Sequence, residues 1–214
     1  MLSPAIKICG LNTPAALDAA LKARADYAGF VFFPPSPRHL PLANAAALGA
    51  RAAGRIIRVG LFVDADDPAI AEAVAAAQLD ILQLHGEESP ARAAQVGAQF
   101  GLPVWKALPV TSAADVSRAA KYAGAVDLVL FDAKTPKGAA LPGGMGLTFD
   151  WSLIAGWKGP LAWGLAGGLS PDNVAQAARK TGAPLVDVSS GVESAPGVKD
   201  MDRIAAFAYA ARHL

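Results

Sequence analysis

Side chains able to do acid–base chemistry stand at the ends of short apolar runs in this chain. The run AIKIC (5–9) puts Lys7 and Cys9 on one face and Ile6 and Ile8 on the other, because side chains alternate along an extended strand. LDILQLH (79–85) separates Gln83 and His85 from Leu82 and Leu84 in the same way. PLVDVSS (184–190) sets Asp187 and Ser189 against Val186 and Val188, and the run 126–132 ends in Asp132. PVWKAL (103–108) places Lys106 opposite Trp105 and Ala107, which makes it a second interior lysine beside Lys7. A thiol, an imidazole and carboxylates that share an interior can move protons on a substrate, and their burial is costly unless they pair or act. Each also has a structural alternative. Cys9 can be a small core residue, Lys7 and Asp187 a mutually neutralising pair, His85 a hydrogen-bonded core histidine, and Asp132 a cap on the next turn.

Two glycine-bearing loops point to an anion. Ala166-Gly167-Gly168-Leu169-Ser170 follows one strand and precedes a helix, and Ser189-Ser190-Gly191-Val192 follows another. Glycine lets backbone N–H groups approach an anion closely, and a helix N-terminus adds positive potential. Tight turns alone account for one such loop better than for the pair. Gly143-Gly144-Met145-Gly146 lacks the spacing of a dinucleotide fingerprint. His39, His85 and His213 are scattered, without metal-ligand spacing, so no metal is expected.

These groups need a scaffold that brings strand ends together. Eight short runs, at 5–9, 27–33, 55–63, 79–85, 103–108, 126–132, 160–166 and 184–190, alternate with alanine-rich stretches such as 13–24, 68–77, 91–99 and 112–122. Asn12-Thr13-Pro14, Ser89-Pro90 and Ser170-Pro171-Asp172 each set a capping side chain before a proline suited to the first helical turn, and Asp150 reads as the cap of a short helix. Strands apolar on both faces suit a parallel sheet covered by helices. Eight strand–helix rounds in 214 residues predict an α/β fold, a single-domain (β/α)8 TIM barrel over 1–214, with an open doubly wound sheet as the alternative. In a barrel the loops after the strands form the active face. Residues 133–149, rich in Gly, Pro and Lys, read there as a lid or a plain surface loop.

Composition narrows the class further. Hydrophobic residues make up 53% and charged residues 17%, which excludes a disordered chain. Lys plus Arg number 19 against 18 Asp plus Glu, so no global field draws nucleic acid or an anionic membrane. One cysteine suits a reducing compartment. The start MLSPAIKICGLN lacks the pattern of a secretory leader, and no window reaches the ~18 uncharged apolar residues of a membrane span. A cytoplasmic protein is expected, with a small-molecule partner and neither nucleic acid nor membrane. Its state, monomer or homodimer, is left open.

KICGL (7–11), GFVFFPPSPRHL (29–40), VGLFVD (59–64), LQLHGEE (82–88), GGMGLTFDW (143–151), LAGGLSPDNV (165–174) and VDVSSGVESAPGVKD (186–200) occur in that order. Together they resemble the phosphoribosylanthranilate isomerases of tryptophan biosynthesis, along essentially the whole chain. The resemblance implies a (β/α)8 barrel and a cofactor-free Amadori rearrangement of N-(5-phosphoribosyl)anthranilate. It matches Cys9 to the general base, Asp132 to the general acid and Arg38 to the residue that engages the anthranilate carboxylate. Gly167, Gly168, Ser190 and Gly191 fall in the family's phosphate loops, and His85 and Asp187 match positions near substrate. Met145 stands where the family usually has a small or polar residue, which bears on the contacts of a lid. A cysteine near its ordinary value of about 8.5 is mostly protonated at neutral pH, so nearby positive charge or helix dipoles are expected to favour the Cys9 thiolate. The alternatives are a phosphosugar lyase that uses Lys7 or Lys106 as an imine-forming nucleophile, and a barrel that binds phosphorylated metabolites without turnover.

Overall fold

The computed structural model describes residues 3–133 and 147–214. Eight parallel strands close into a barrel in chain order: β1 (Ala5–Cys9), β2 (Tyr27–Val31), β3 (Ile57–Phe62), β4 (Ile81–Leu84), β5 (Val104–Val110), β6 (Leu128–Ala133), β7 (Ala162–Leu165) and β8 (Leu185–Val188). The closed ring decides against the open sheet. Helices α1 (Pro14–Lys22), α2 (Leu42–Ala52), α3 (Asp67–Ala77), α4 (Pro90–Phe100), α5 (Ala113–Ser117), α6 (Val174–Thr181) and α7 (Met201–Arg212) lie between or after the strands. A two-stranded hairpin, β9 (Glu193–Ala195) and β10 (Val198–Lys199), is inserted between β8 and α7. Among the described residues no helix is long and apolar enough to cross a membrane.

Local chemistry explains the helix starts. Thr13 accepts from the Ala16 N–H, Ser89 from Arg92 N–H and Asp66 from Ala69 N–H, each ahead of a proline in the first turn. The third predicted start lies further along the chain. Asn173, not Ser170, precedes α6, and Ser170 Oγ instead accepts from the Asp172 N–H inside a turn. Between β6 and β7 the described residues hold one 3-10 turn, Trp151–Leu153, capped by Asp150 as expected. Most of the expected lid, residues 134–146 with Met145, lies outside the described residues.

Side-chain alternation splits the strands into two apolar layers. Val59, Ile81, Trp105, Ala107, Leu130 and Leu185 fill the floor of the barrel interior. Leucines, valines and phenylalanines of the opposite strand faces pack under the helices, with the alanines of α1, α2 and α3 buried against them. At the base of the barrel a repeated aspartate ties strand to strand. Asp26 accepts from the Ile6 N–H at 2.7 Å, Asp80 from Arg58 N–H at 2.8 Å and Asp127 from Val104 N–H at 2.7 Å. Each stands just ahead of an even-numbered strand and bonds the odd-numbered strand before it. The polar groups of chemical interest lie toward the other mouth.

Candidate active site

β1 brings Lys7 and Cys9 into the interior one turn of the pleat apart. Lys7 is fully buried and its Nζ stands 3.0 Å from both carboxylate oxygens of Asp187, its register partner on β8. Burial works against the Lys7 charge, but Asp187 and Cys9 beside it more than offset that and hold the ammonium above its ordinary value. Lys7 is thus the cation of a pair rather than a poised nucleophile. Cys9 pairs in register with Gly29, where a β-carbon would crowd the Cys9 sulfur at 3.0 Å. The expectation of a favoured thiolate is not met. Burial pushes the Cys9 thiol up, and the opposing pull of Lys7 and Lys199 does not cancel it.

β4 and β6 supply the opposite wall. His85 Nε2 lies 3.1 Å from Asp132 Oδ2, and the Ala133 N–H donates to Asp132 Oδ1 at 2.8 Å. Gln83, two residues before His85 on the same strand face, sets its amide nitrogen 3.3 Å from His85 Nδ1. Asp132 therefore does more than cap a turn, because its second oxygen belongs to a three-residue chain.

Lys106 is not an interior residue. Trp105 and Ala107 take the inward positions of β5, and Lys106 turns toward the helical layer. There its Nζ donates to the carbonyls of Gly86 at 2.7 Å and Ala107 at 3.0 Å, and meets Glu88 Oε2 at 3.1 Å. Glu88 in turn accepts from the Asp64 and Gly86 N–H groups, both at 2.9 Å. This buried ion pair braces the loop that carries His85, and an imine-forming Lys106 is ruled out by its location.

Arg38 follows β2 in the Pro-rich turn, and it is buried rather than on the surface. Its Nε and Nη2 both donate to Glu193 at 2.8 Å, a fork-to-fork pair. Lys199 donates to Glu193 Oε1 at 2.7 Å and to the Ser189 carbonyl at 2.9 Å, while Ser189 Oγ donates to the Cys9 carbonyl at 3.2 Å. Burial raises the cost of the Glu193 charge, yet Arg38 and Lys199 together hold its carboxyl below the usual range. The sequence reading missed Glu193 and Lys199. Their only local signal is that they sit within the VDVSSGVESAPGVKD segment; the hairpin β9–β10 makes them cross-strand partners.

Gly167 and Gly168 follow β7, and Ser190 and Gly191 follow β8 in a 3-10 turn. Gly167 has φ +83°, and a side chain there would press on Asp132 Oδ1 at 2.8 Å. At Gly191 a β-carbon would strike the Leu169 carbonyl, so the two glycine loops touch through backbone. One concavity at the strands' C-terminal mouth is lined by Cys9, Arg38, His85, Asp132, Gly167, Gly168, Asp187 and Ser190, with Val31, Phe33 and Leu61 as apolar wall. The structure thus gathers every predicted site residue except Gly191, which follows Ser190 in the same 3-10 turn.

A closed (β/α)8 barrel with its polar groups at the C-terminal mouth of the strands is the architecture in which barrel enzymes carry their active sites. The family model of N-(5'-phosphoribosyl)anthranilate isomerase matches residues 6–210, and the chain belongs to this family. It is 55% identical over 211 residues to the N-(5'-phosphoribosyl)anthranilate isomerase of Rhodospirillum rubrum, covering 97% of each chain. The crystal structure of phosphoribosyl anthranilate isomerase from Thermotoga maritima superposes with a TM-score of 0.87 at 35% identity, covering 99% of this chain and 100% of that one. A phosphoribosyl anthranilate isomerase solved in complex with reduced 1-(o-carboxyphenylamino)-1-deoxyribulose 5-phosphate superposes at 0.84 with 32% identity, covering 99% of this chain and 100% of that one.

Proposed function

We propose that Asp132 and Cys9 carry the family's reaction in this chain as general acid and general base. The reaction is the Amadori rearrangement of N-(5-phosphoribosyl)anthranilate to 1-(2-carboxyphenylamino)-1-deoxyribulose 5-phosphate. The nitrogen lone pair closes onto C1 as the C1–O bond of the furanose breaks, and the ring oxygen takes the Asp132 proton. That leaves a protonated Schiff base. Cys9 as thiolate then removes the C2 proton, the electron pair forms C1=C2, and the iminium charge is discharged. The enolamine becomes the ketone when C1 gains a proton and the C2 hydroxyl loses one. Atoms balance without a redox partner, as an isomerisation requires.

The observation that carries this reading is the shared concavity, in which the thiol of β1 and the carboxyl of β6 open onto one space from different walls. The same space supports roles for its other residues. Arg38 fits the anthranilate carboxylate as a planar donor. Gly167, Gly168, Ser190 and Gly191 fit the phosphate, with backbone donors near one another at the ends of β7 and β8. His85 holds Asp132, and Asp187 neutralises Lys7 beside the base. The 214 residues then act as a single catalytic unit on a small phosphorylated substrate in the cytoplasm.

The test is the loss of anthranilate-type fluorescence when purified protein meets freshly generated phosphoribosylanthranilate. Wild type should consume it rapidly, while Asp132→Asn and Cys9→Ala should fall at least about 100-fold, the scale of one positioned proton-transfer group. Equal rates in wild type and Asp132→Asn would remove Asp132 from the acid role and leave the isomerase standing.

A further inference from the structure

Gln83 is fully inside the barrel and touches no substrate-lining space, yet its amide ends on the ring of His85. Its register partners are Leu61 of β3 and Trp105 of β5, so apolar side chains flank it. Its Nε2 lies 3.3 Å from His85 Nδ1, and its Oε1 is buried without a hydrogen-bond partner. An amide nitrogen only donates, which makes Nδ1 the acceptor and leaves the imidazole proton on Nε2. The opposite amide orientation would set Oε1 against Nδ1 and move the two-donor nitrogen to the position where Oε1 now stands, beside Leu61 and Trp105 as strand neighbours. Buried unpaired N–H groups are the rarer and costlier case, so the donor belongs on His85.

We propose that Gln83 is a positioning residue that selects the Nε2–H tautomer of His85, so that the acid proton of Asp132 stays available to substrate. The consequence follows at the next link, where His85 Nε2 faces Asp132 Oδ2 at 3.1 Å. With hydrogen on Nε2, His85 donates to Asp132, and Ala133 N–H donates to the other oxygen. Any proton on the carboxyl must then occupy a lone pair aimed away from both donors. With hydrogen on Nδ1, Nε2 would be a bare lone pair, and the Asp132 proton would be tied up in a hydrogen bond to it. The selected tautomer also gains strength as the reaction proceeds. Its N–H meets a neutral carboxyl before proton transfer and a developing carboxylate during it, which is stabilisation weighted to the transition state. This second part rests on Asp132 as the acid; the tautomer itself does not.

Nitrogen-15 spectra of histidine-labelled protein read the tautomer directly, and with three histidines in the chain the His85 signals are assigned by His85→Asn. The expected result is an Nε2–H imidazole in wild type that persists in Asp132→Ala. Gln83→Met, which keeps the volume and removes the donor, should give a mixed population. Gln83→Glu, an acceptor, should move the proton to Nδ1. Turnover should fall with the tautomer, about 10- to 100-fold in kcat with KM nearly unchanged. An Nδ1–H ring in wild type overturns the proposal, and this outcome needs no variant to fold. So does a tautomer that survives in folded Gln83→Met but is lost in Asp132→Ala, since Asp132 would then be the selector. A tautomer that follows Gln83 while kcat stays at the wild-type level overturns the catalytic half and, where Asp132→Asn is also fully active, the acid assignment with it.

Discussion

At Cys9 two effects oppose each other, and their balance sets how much thiolate is present. Removing a thiolate from water disfavours the charged form, while the Lys7 ammonium favours it, and burial wins. In the proposed reaction the deprotonated form acts, and the thiolate fraction rises with pH and passes its midpoint above the ordinary thiol value of about 8.5. Because Cys9 is the sole cysteine, the difference in ultraviolet titration between wild type and Cys9→Ala isolates its thiolate from the three tyrosines. The midpoint should lie above that ordinary value in wild type and rise further in Lys7→Met, where only Lys199 still opposes burial; a midpoint below it would sink the account. At Arg38 geometry decides instead. Two of its donors are fixed on Glu193, so the guanidinium plane is set before substrate arrives. Arg38→Lys keeps the charge and loses the fork, and the missing charge-assisted bond is worth about 1.5–3 kcal/mol, or roughly 10- to 100-fold in KM. A raised KM with near-normal kcat is the expected pattern; a loss confined to kcat would assign Arg38 to the chemistry itself.

Elements matter here through how they begin and which face they show. The start of α5 is a capping box in which Ser112 and Asp115 bond each other's backbone N–H, with Thr111 and Arg118 also on the Asp115 carboxylate. These donors, Thr111 first, hold the Asp115 carboxyl down at about 2. A depressed carboxyl stabilises the folded chain fully above its unfolded value of about 3.9, and that contribution fades as pH falls toward 2. Asp115→Asn should therefore lower the urea midpoint at pH near 6, lose about half of that deficit near pH 3 and most of it near pH 2. A deficit independent of pH would mean that the side chain acts by shape alone. The same local chemistry explains what could be read from the chain beforehand. The strand runs, the Thr13 and Ser89 caps, and the inward positions of Cys9, His85, Asp132 and Asp187 follow from short-range rules of alternation and capping. Lys106 was misplaced because β5 is apolar on both faces and alternation does not say which face is inside. Its partner Glu88 comes from another loop. Glu193 escaped for a similar reason, as its bond to Arg38 spans 155 residues of sequence and exists only once β2 and β8 share a ring. The aspartates ahead of β2, β4 and β6 form a pattern visible in Asp26, Asp80 and Asp127, but its meaning needs the parallel register.

Over the whole molecule the ring is not equally knit. β5 and β6 pair through six residues each in register and β2 and β3 through five, whereas β7 meets β8 at the single pair Leu165 and Val186. Gly164 on β7 lies beside this thin seam. A β-carbon there would lie 2.8 Å from a Leu130 methyl and 2.9 Å from a Leu185 methyl, so interior leucines occupy the space a side chain would use. Local opening in a folded protein concentrates where few backbone bonds must break. The β7 and β8 amides along this seam should exchange with solvent faster than those of β5 and β6. The glycine loops that receive the phosphate in the proposed function leave from the ends of these same two strands, so a phosphate held by both would bridge the weakest joint of the barrel. A ligand that binds only the closed form slows opening by a factor of 1 + [L]/Kd, about 100-fold at 100 Kd. Hydrogen exchange with and without inorganic phosphate measures this directly. Protection should rise at β7 and β8 and stay level at β2 and β3, far around the ring. Uniform protection, or none at the seam, would detach the phosphate site from barrel closure. A selective rise would mean that phosphate binding completes the ring between the proposed base and the proposed acid, since Cys9 stands on β1 next to β8 and Asp132 on β6 next to β7.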